Sequence, residues 1–589
     1  MIVPMKKATI VAQAKDAASS VAALRALGVV HVEHVTVPDG ADVARVKDDI
    51  NLMEQAEATL SGFKDKKHFA PALKEDVYDW RKTARHVIDL YKRLEQLQEY
   101  SRRISKEIGI WQEWGDFNPD AISRLAHENI FIRLYRIPAN EIKNLPQGII
   151  IKKISRSQGV INTAVISTSE IDVGFQQLKL PRTGLKIMRQ KLIEDKVVIK
   201  SIIDELQKRA CCVRRLSEAR KELYKQLEFH QALGGMGQAQ DLVYLSGYVP
   251  QDRADMLFNE AKKEKWGIII NDPSASDDVP TLIRNPEWVS IISPVFKVLE
   301  IVPGYKEFDI SLWFLVFLSV FFGILIGDAG YGFIFLCLTM FAAAKFKDAP
   351  QTRPLFALFY ILSSSAIVWG ILSATFFGQE WLPAAVKPVL PALRNDGNVQ
   401  AICFFIGALH LSIAHAWRAI TKAPSLAALS DAGWIAILWG SFFLAKTLVL
   451  GQNFPVFAKW FFIIGPCMVI LFANPHRNIF KALAGGLGSF LLSFVNCFTD
   501  VVSYIRLFAV GLATVAVADS FNKMALSIGF GSVFAGIATA LILVLGHALN
   551  ILLGPMSVLV HGVRLNVLEF CGHADVKWSG FEYRPLKEE

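Results

Sequence analysis

The residues of this chain that could do chemistry are charged and polar groups set inside long apolar runs. Arg506 follows Ser503-Tyr504-Ile505 and lies deep in the run 484–525. An arginine at the centre of a membrane helix costs about 2.5–3.5 kcal/mol on insertion scales and cannot be neutralised, so its presence calls for a function or an ion pair. Asp500 is six positions away and turned to another side of the helix, which makes it a poor partner. The neighbours of Arg506 at helical spacing, Ser503, Ala509, Val510, Ala513, Val517 and Ser520, are small enough to let another helix approach. We read Arg506 as functional, against the alternative of an interhelical ion pair. Asp328 and Asp519 read as structural, at a membrane edge. In the last apolar run His547, Asn550, Gly554, Ser557, His561 and Arg564 fall on one face at the 3.6-residue period. Such a stripe lines a watery path or meets a polar partner. His561 reads equally as a proton relay and as a plain hydrogen-bonding histidine, and Arg564 as functional or as snorkelling to the surface.

The elements that must position these groups are apolar helices. Candidate spans run over about 311–327, 330–344, 355–377, 399–417, 432–450, 456–473, 484–525 and 530–571; roughly 20 apolar residues cross a bilayer core. The second is short. The last two are far too long: residues 527–568 hold one charge, Arg564. That is about 63 Å of helix at 1.5 Å per residue, beyond what tilt absorbs, so these helices are bent or strongly inclined, with Pro555 a bend point. With eight spans and a cytoplasmic N-terminus, ten Lys/Arg fall in inside segments and four in outside segments, which follows the positive-inside rule.

Residues 1–300 differ in kind. They hold 45 Lys/Arg and 40 Asp/Glu, against 18 and 14 in the remainder of the 589 residues. A wholly soluble enzyme, a disordered chain and a disulfide-stapled protein are excluded. The net charge of +9 is not gathered into a basic run with interleaved aromatics, so nucleic acid is not an expected partner. Seven cysteines without CxxC spacing give no metal site, and no cofactor motif occurs; Gly234-Gly235-Met236-Gly237 reads as a turn, since no GK[ST] follows. Residues 6–11 and 29–32 read as strands around a helix at 17–27. Helical stretches follow from about Asp42 to Trp114, with a break at Pro71, and from about Leu185 to Phe229. In the second, Ile199, Ile202, Leu206, Val213, Leu216, Leu223 and Leu227 form a coiled-coil stripe. Strands near 130–136, 148–151, 160–166 and 242–249 complete the lobes. The expected fold is N-terminal α/β lobes joined by a long antiparallel coiled-coil stalk. It is followed by an all-α polytopic membrane domain of about eight transmembrane helices, the last two very long and tilted or bent, with the division near residue 300.

Several segments together resemble the large membrane subunit of V/A-type rotary ATPases, subunit a, or subunit I in bacteria and archaea. They are Leu27-Gly28-Val29-Val30-His31, Ser246-Gly247-Tyr248-Val249-Pro250, Gly327-Asp328-Ala329-Gly330-Tyr331-Gly332, Ser503 to Ala513, and Gly546-His547-Ala548-Leu549 with His561 to Leu565. The resemblance implies a non-catalytic stator and ion-channel subunit, with the ATP site on other subunits. Arg506 matches the family's essential arginine and Arg564 a second one. Asp500, Ser503, His547, Asn550, Ser557 and His561 complete the expected ion path. Implied partners are the proteolipid c/K ring, the E and G subunits of the peripheral stalks, the C/d subunit of the central stalk, the soluble ATPase sector and the lipid bilayer. The implied location is a prokaryotic inner membrane, with both the N-terminal domain and the C-terminus cytoplasmic. Tyr331 stands where the family usually carries His, Gly554 where eukaryotic members carry Glu, and Thr514 where they carry His. The rival reading is a polytopic secondary transporter with a cytosolic coiled-coil regulatory domain, which predicts internal repeats that the sequence does not show.

Overall fold

The structure is a computed structural model that describes residues 1–63, 79–142, 149–157, 159–169, 173–346, 349, 352–378, 389–472 and 479–588, with the side chains of 157 and 479–489 left aside. In chain order it opens with β1 (Met5–Gln13), α1 (Ala17–Leu27), β2 (His31–Glu33), α2 (Ala41–Ser61), α3 (Trp80–Trp111) and α4 (Pro119–His127). Strands β3 (Phe131–Pro138), β4 (Ile150–Ser157), β5 (Val160–Ser167) and β6 (Gln177–Leu178) precede α5 (Leu185–Arg209) and α6 (Val213–Gly234). Then come β7 (Gly237–Ala239), β8 (Leu242–Pro250), α7 (Ala254–Lys263), β9 (Gly267–Asn271), α8 (Glu287–Ser290) and α9 (Ser293–Leu299). One sheet has the order β4–β5–β3–β6, the other β2–β8–β1–β9 with β7 beside β8. The chain divides into two compact units: Met1–Ile10, Val29–His31 and Gly247–Pro585 form one, and Val11–Gly28, Val32–Ser246 and Leu586–Glu589 the other.

Within the second of these units, the apolar stripe does what its spacing requires. Ile202 and Leu206 of α5 and Leu216 and Leu223 of α6 are buried against Val46, Ile50, Met53 and Leu60 of α2 and Val87 and Leu94 of α3. Helix α2 packs on α6 and α3 on α5. The expected continuous helix from Leu185 is instead two, separated by a tight 3-10 turn at Ala210–Cys212. The expected 42–114 stretch is likewise two helices; its break point, Pro71, lies outside the described residues. The four-stranded antiparallel sheet buries Leu134 and Ala164 against Trp111 and Trp114 at the end of α3 and Leu185 and Met188 at the start of α5.

The other unit holds the apolar helices: α10 (Ser311–Ile326), α11 (Ala329–Lys345), α12 (Arg353–Ser373), α13 (Asp396–Lys422), α14 (Ala428–Leu450), α15 (Ala458–Phe472), α16 (Ile479–Ser503), α17 (Ile505–Ile528) and α18 (Val533–Ser557). Each expected apolar run coincides with helix over most of its described length. By length and composition five segments can cross a membrane: α12, α13, α14, the stretch Phe490–Ile528 and the stretch Val533–Ala574; α10, α11 and α15 are shorter apolar helices. Two features differ from expectation. The run 484–525 is interrupted at Tyr504, which separates α16 from α17 two residues before Arg506. The last helix is not a regular α-helix: after Pro555 it widens into π turns at Val558–Gly562 and Leu565–Phe570 before α19 (Cys571–Ala574). Each widened turn takes an extra residue, and such turns favour functional positions. The tail that follows is tied down: Glu307 accepts from the backbone of Lys577 and Trp578 at 3.0 and 3.3 Å. Tyr583, its hydroxyl pushed up to about 12 by burial, donates to the Val29 carbonyl.

Candidate ion-translocation site

Arg506 sits at the start of α17, two residues after the break at Tyr504, with its side chain half-buried. Its Nη2 donates to Glu569 Oε1 at 3.2 Å, and the same oxygen accepts from Ser503 Oγ at 3.2 Å. Helical spacing along the sequence leaves Arg506 uncompensated. The structure corrects this: Glu569, whose side chain is 5 % exposed, is its partner. Arg506 Nη1 and Glu569 Oε2 have no hydrogen-bond partner among the described residues. A guanidinium presents five donors in a planar fork, so Arg506 retains donors for a second carboxylate. Asp500 does not reach Arg506, as expected; it pairs with His573 at 3.1 Å.

The helix break is held from the side. Tyr504 is fully buried, and its hydroxyl bonds His410 Nδ1 of α13 at 2.8 Å. The His410 ring lies between Phe317 of α10 and Phe570, with centroids at 3.8 and 4.3 Å. One imidazole thus touches the residue two before Arg506 and the residue after Glu569. Gly511, one turn further along α17, lets α10 approach: a Cβ there would lie 2.5 Å from the Ile324 carbonyl oxygen. Ala509, Ala513, Ala516 and Ser520, on the outer side of α17, are exposed. A cavity of about 490 Å³ is lined by Gly327, Ser373, Thr375, Arg394, Asp396 and Leu507, the residue next to Arg506.

The polar stripe of the last helix divides. Tyr331 Oη bonds His547 Nδ1 at 2.7 Å and accepts from Asn550 Nδ2 at 3.1 Å, and Asn550 also donates to the Thr514 carbonyl at 2.9 Å. Gly554 is buried against Ile326, whose Cδ1 would lie 2.8 Å from an added Cβ. This end is packed and hydrogen-bonded. Ser557 and His561 are half-buried and Arg564 is exposed; His561 Nδ1 has no partner among the described residues. The 3.6-residue bookkeeping that joined all six into one face fails after Ser557, where the π turns begin. Asp328 is a buried helix cap, accepting from the backbone N–H of Gly330 at 2.7 Å, Tyr331 at 3.2 Å and Gly378 at 2.8 Å; Asp519 pairs with Lys523. Tyr331→Phe should strip a partner from both His547 and Asn550. Leaving buried groups unpaired costs about 1–3 kcal/mol, and we expect a matching drop in the thermal midpoint of the purified protein, with no drop marking the hub as inessential.

These features define a membrane protein with a half-buried arginine on one helix, incompletely paired among the described residues, and a carboxylate supplied by another. No family model matches the chain. Among curated proteins it is 32 % identical, over 623 aligned residues covering all of both chains, to the V-type ATP synthase subunit I of Borreliella burgdorferi. It is 29 % identical over the full length of both chains to V-type ATP synthase subunit I 1 of Treponema pallidum. An A-type ATP synthase subunit I of Methanocaldococcus jannaschii is 24 % identical over 68 % of this chain and 61 % of its own. The chain belongs to the V-type ATP synthase subunit I family. A crystal structure of the cytoplasmic N-terminal domain of a subunit I, homologous to subunit a of V-ATPase, aligns with 45 % of this chain and 99 % of its own at 16 % identity and a TM-score of 0.26.

Proposed function

We propose that this chain is the non-catalytic stator and ion-channel subunit of a V/A-type rotary ATPase in a prokaryotic cell membrane. Residues 1–300 act as the cytoplasmic stator domain, with the α2, α3, α5 and α6 helices as its coiled-coil stalk. The rest forms eight spans, with the C-terminus cytoplasmic. The partners are the proteolipid ring, the E and G subunits of the peripheral stalks, the C/d subunit of the central stalk and the soluble ATPase sector. The observation that carries the reading is Arg506 at the head of α17, paired with Glu569 yet keeping unpaired donors, below an exposed face of Ala509, Ala513, Ala516 and Ser520 onto which a ring helix can fit.

The chemistry follows from Coulomb's law in a medium of low dielectric. A ring carboxylate that meets Arg506 is stabilised in its ionised form and releases its ion. Glu569 and Ser503 hold the guanidinium in place between successive carboxylates. Because the arginine never loses its charge, ions cannot slip past it between the two sides. Each charge moved through about 100 mV is worth about 2.3 kcal/mol, which successive steps convert to rotation. Ser557, His561, Arg564, Asp500 and the cavity beside Leu507 supply the watery approaches, whereas His547 and Asn550 act by holding the last helix to Tyr331.

The test is reconstitution. Complexes purified through a tag on this chain should contain a small proteolipid and nucleotide-binding subunits, and should drive ion uptake into vesicles with ATP. Complexes assembled without the chain should hydrolyse ATP with no uptake. Ion transport by the chain alone would instead establish a secondary transporter.

A further inference from the structure

The stalk helices change partners at a pair of adjacent cysteines. Helix α5 packs mainly on α3 and α6 on α2, and the joint between α5 and α6 is the 3-10 turn Ala210–Cys212. Leu206 before the turn and Leu216 after it are fully buried, so the turn runs between two fixed points. A short 3-10 stretch within a helical run often marks a hinge. Cys211 is exposed and Cys212 buried. Their Sγ atoms lie 4.0 Å apart, and the Cys211 thiol donates to the Lys208 carbonyl at 3.1 Å. The backbone at Cys212 is helical, with φ −77° and ψ −11°.

The two thiols differ in what they can do. Burial, with the neighbouring Cys211 adding to it, pushes the Cys212 thiol up to about 11, so near neutral pH it stays protonated and does not attack first. Cys211 is open to solvent, between Lys208-Arg209 and Arg214-Arg215 in the chain, the accessible and electropositive setting in which cysteines react. An exposed thiol with a second thiol beside it is the arrangement of a redox sensor, the second sulfur resolving what the first forms. The bond between them would be strained. Adjacent Cα atoms lie about 3.8 Å apart across a trans peptide, short of the roughly 4.4–6.8 Å that a relaxed disulfide spans. Closing the ring therefore forces the backbone out of the helical torsions of the turn. It also leaves a bond that thiols reduce readily, since strained and exposed disulfides are the labile and regulatory ones.

We propose that Cys211 and Cys212 are a redox-modification site, at which a hydroperoxide oxidises the pair to a vicinal disulfide that opens the joint between α5 and α6, and thiols restore it. The step balances. The Cys211 thiolate attacks one peroxide oxygen and the O–O bond breaks. Cys211 becomes a sulfenic acid, and the departing oxygen takes up the proton that Cys211 lost, leaving as water or an alcohol. The Cys212 sulfur then attacks the Cys211 sulfur. The S–S bond forms, the S–O bond breaks, and the hydroxyl leaves as water with the proton of Cys212. Each sulfur gives up one electron and the peroxide gains two. Opening the turn releases the segment between Leu206 and Leu216, so the two helix pairs are no longer held in line and the stalk yields more under load. The chemistry stands on the pair itself, whereas its effect on ion uptake rests on the stator reading above.

The experiment treats the intact complex in vesicles with limiting hydrogen peroxide. Trypsin cuts after Arg209 and Arg214, which leaves both cysteines on the peptide 210–214 with no other cysteine. That peptide should lose the mass of two hydrogens and regain it with dithiothreitol. In the oxidised form, amide exchange should quicken on both sides of the turn. Ion uptake per ATP hydrolysed should fall, and return with the thiol. Cys212→Ser should stop at a sulfenic acid on Cys211, trapped by dimedone, and Cys211→Ser should not react. Both should transport at the wild-type rate and keep that rate through the peroxide treatment. If Cys212→Ser does not assemble, Cys212→Ala takes its place with the same expectation. A peptide that stays reduced, or that goes only to an acid that dithiothreitol does not reverse, overturns the proposal. So does an oxidised pair with unchanged amide exchange, or a loss of uptake that Cys211→Ser suffers equally. A pair that oxidises and opens the joint while uptake per ATP stays constant would instead overturn the stator reading of the stalk and leave the redox site standing.

Discussion

Arg506→Lys is expected to abolish ATP-driven ion uptake by the reconstituted complex while leaving the subunit folded and assembled. Lysine keeps the charge but not the fork. In the wild type, Nη2 engages Glu569 at 3.2 Å while Nη1 has no partner among the described residues, so one guanidinium can hold its partner and meet a second carboxylate at once. An ammonium on a flexible stem is a point charge and must choose. With Glu569 buried and fixed, it stays there, and the ring carboxylate meets no cation. Losing one positioned electrostatic contact at a reacting centre costs about 10²–10³ in rate, and a loss of that size in the initial rate of uptake is the expected reading. Arg506→Ala should lose as much and also destabilise, because it leaves the buried Glu569 without its partner; leaving a buried polar group unpaired costs about 1–3 kcal/mol. Arg506→Ala with Glu569→Ala should regain part of the stability and none of the transport. Normal pumping by the lysine variant would remove Arg506 from the ion path.

These groups were unequally visible in the sequence. Helix α1 occupies the expected residues, and the strands around 130–138, 160–167 and 242–250 follow from alternating β-branched and aromatic residues. The apolar runs gave the apolar helices, five of them long and apolar enough to cross a membrane, because hydropathy over some 20 residues is a strong signal. Arg506 stood out because a charge in an apolar run is costly wherever the helix goes. Its partner did not. Glu569 is 63 positions away, just past the stretch whose one charge is Arg564, and two π turns carry it to a face that regular 3.6-residue spacing does not indicate. The signal was present in chemical form: an arginine within an apolar run asks for an acid, and Glu569 is an acid at the end of the apolar run that follows. A contact between His415 and His573, spanning 158 positions, had no local signature, since each histidine alone reads as a core residue. Tyr331 was seen only as a departure from a family pattern, and its packing shows the consequence: a phenol reaches both His547 and Asn550.

The widened turns lead to the second large expectation. Val560 lies in the first π stretch, its side chain 55 % exposed and in no core cluster. Deleting it should convert that stretch to regular α-helix, because a π turn differs from an α turn by one inserted residue. Everything after it then rotates by about 100° about the helix axis. Glu569 would swing away from Arg506 and Ser503, and a different neighbour would face the arginine. Loss of ion uptake should be as complete as for Arg506→Ala, although no charged or polar side chain has been removed. Val560→Ala, which trims an exposed side chain and leaves the chain length intact, should transport normally. The two variants separate register from side-chain chemistry, and a cysteine pair at positions 503 and 569, bridged by a bifunctional thiol reagent about as long as a glutamate side chain, reports the geometry. It should cross-link in the full-length helix and fail to do so in the deletion. If the deletion variant pumps at the wild-type rate, the π turns do not place Glu569. The pair seen in the structure would then be an ion pair of the bundle, with no part in handling the transported ion.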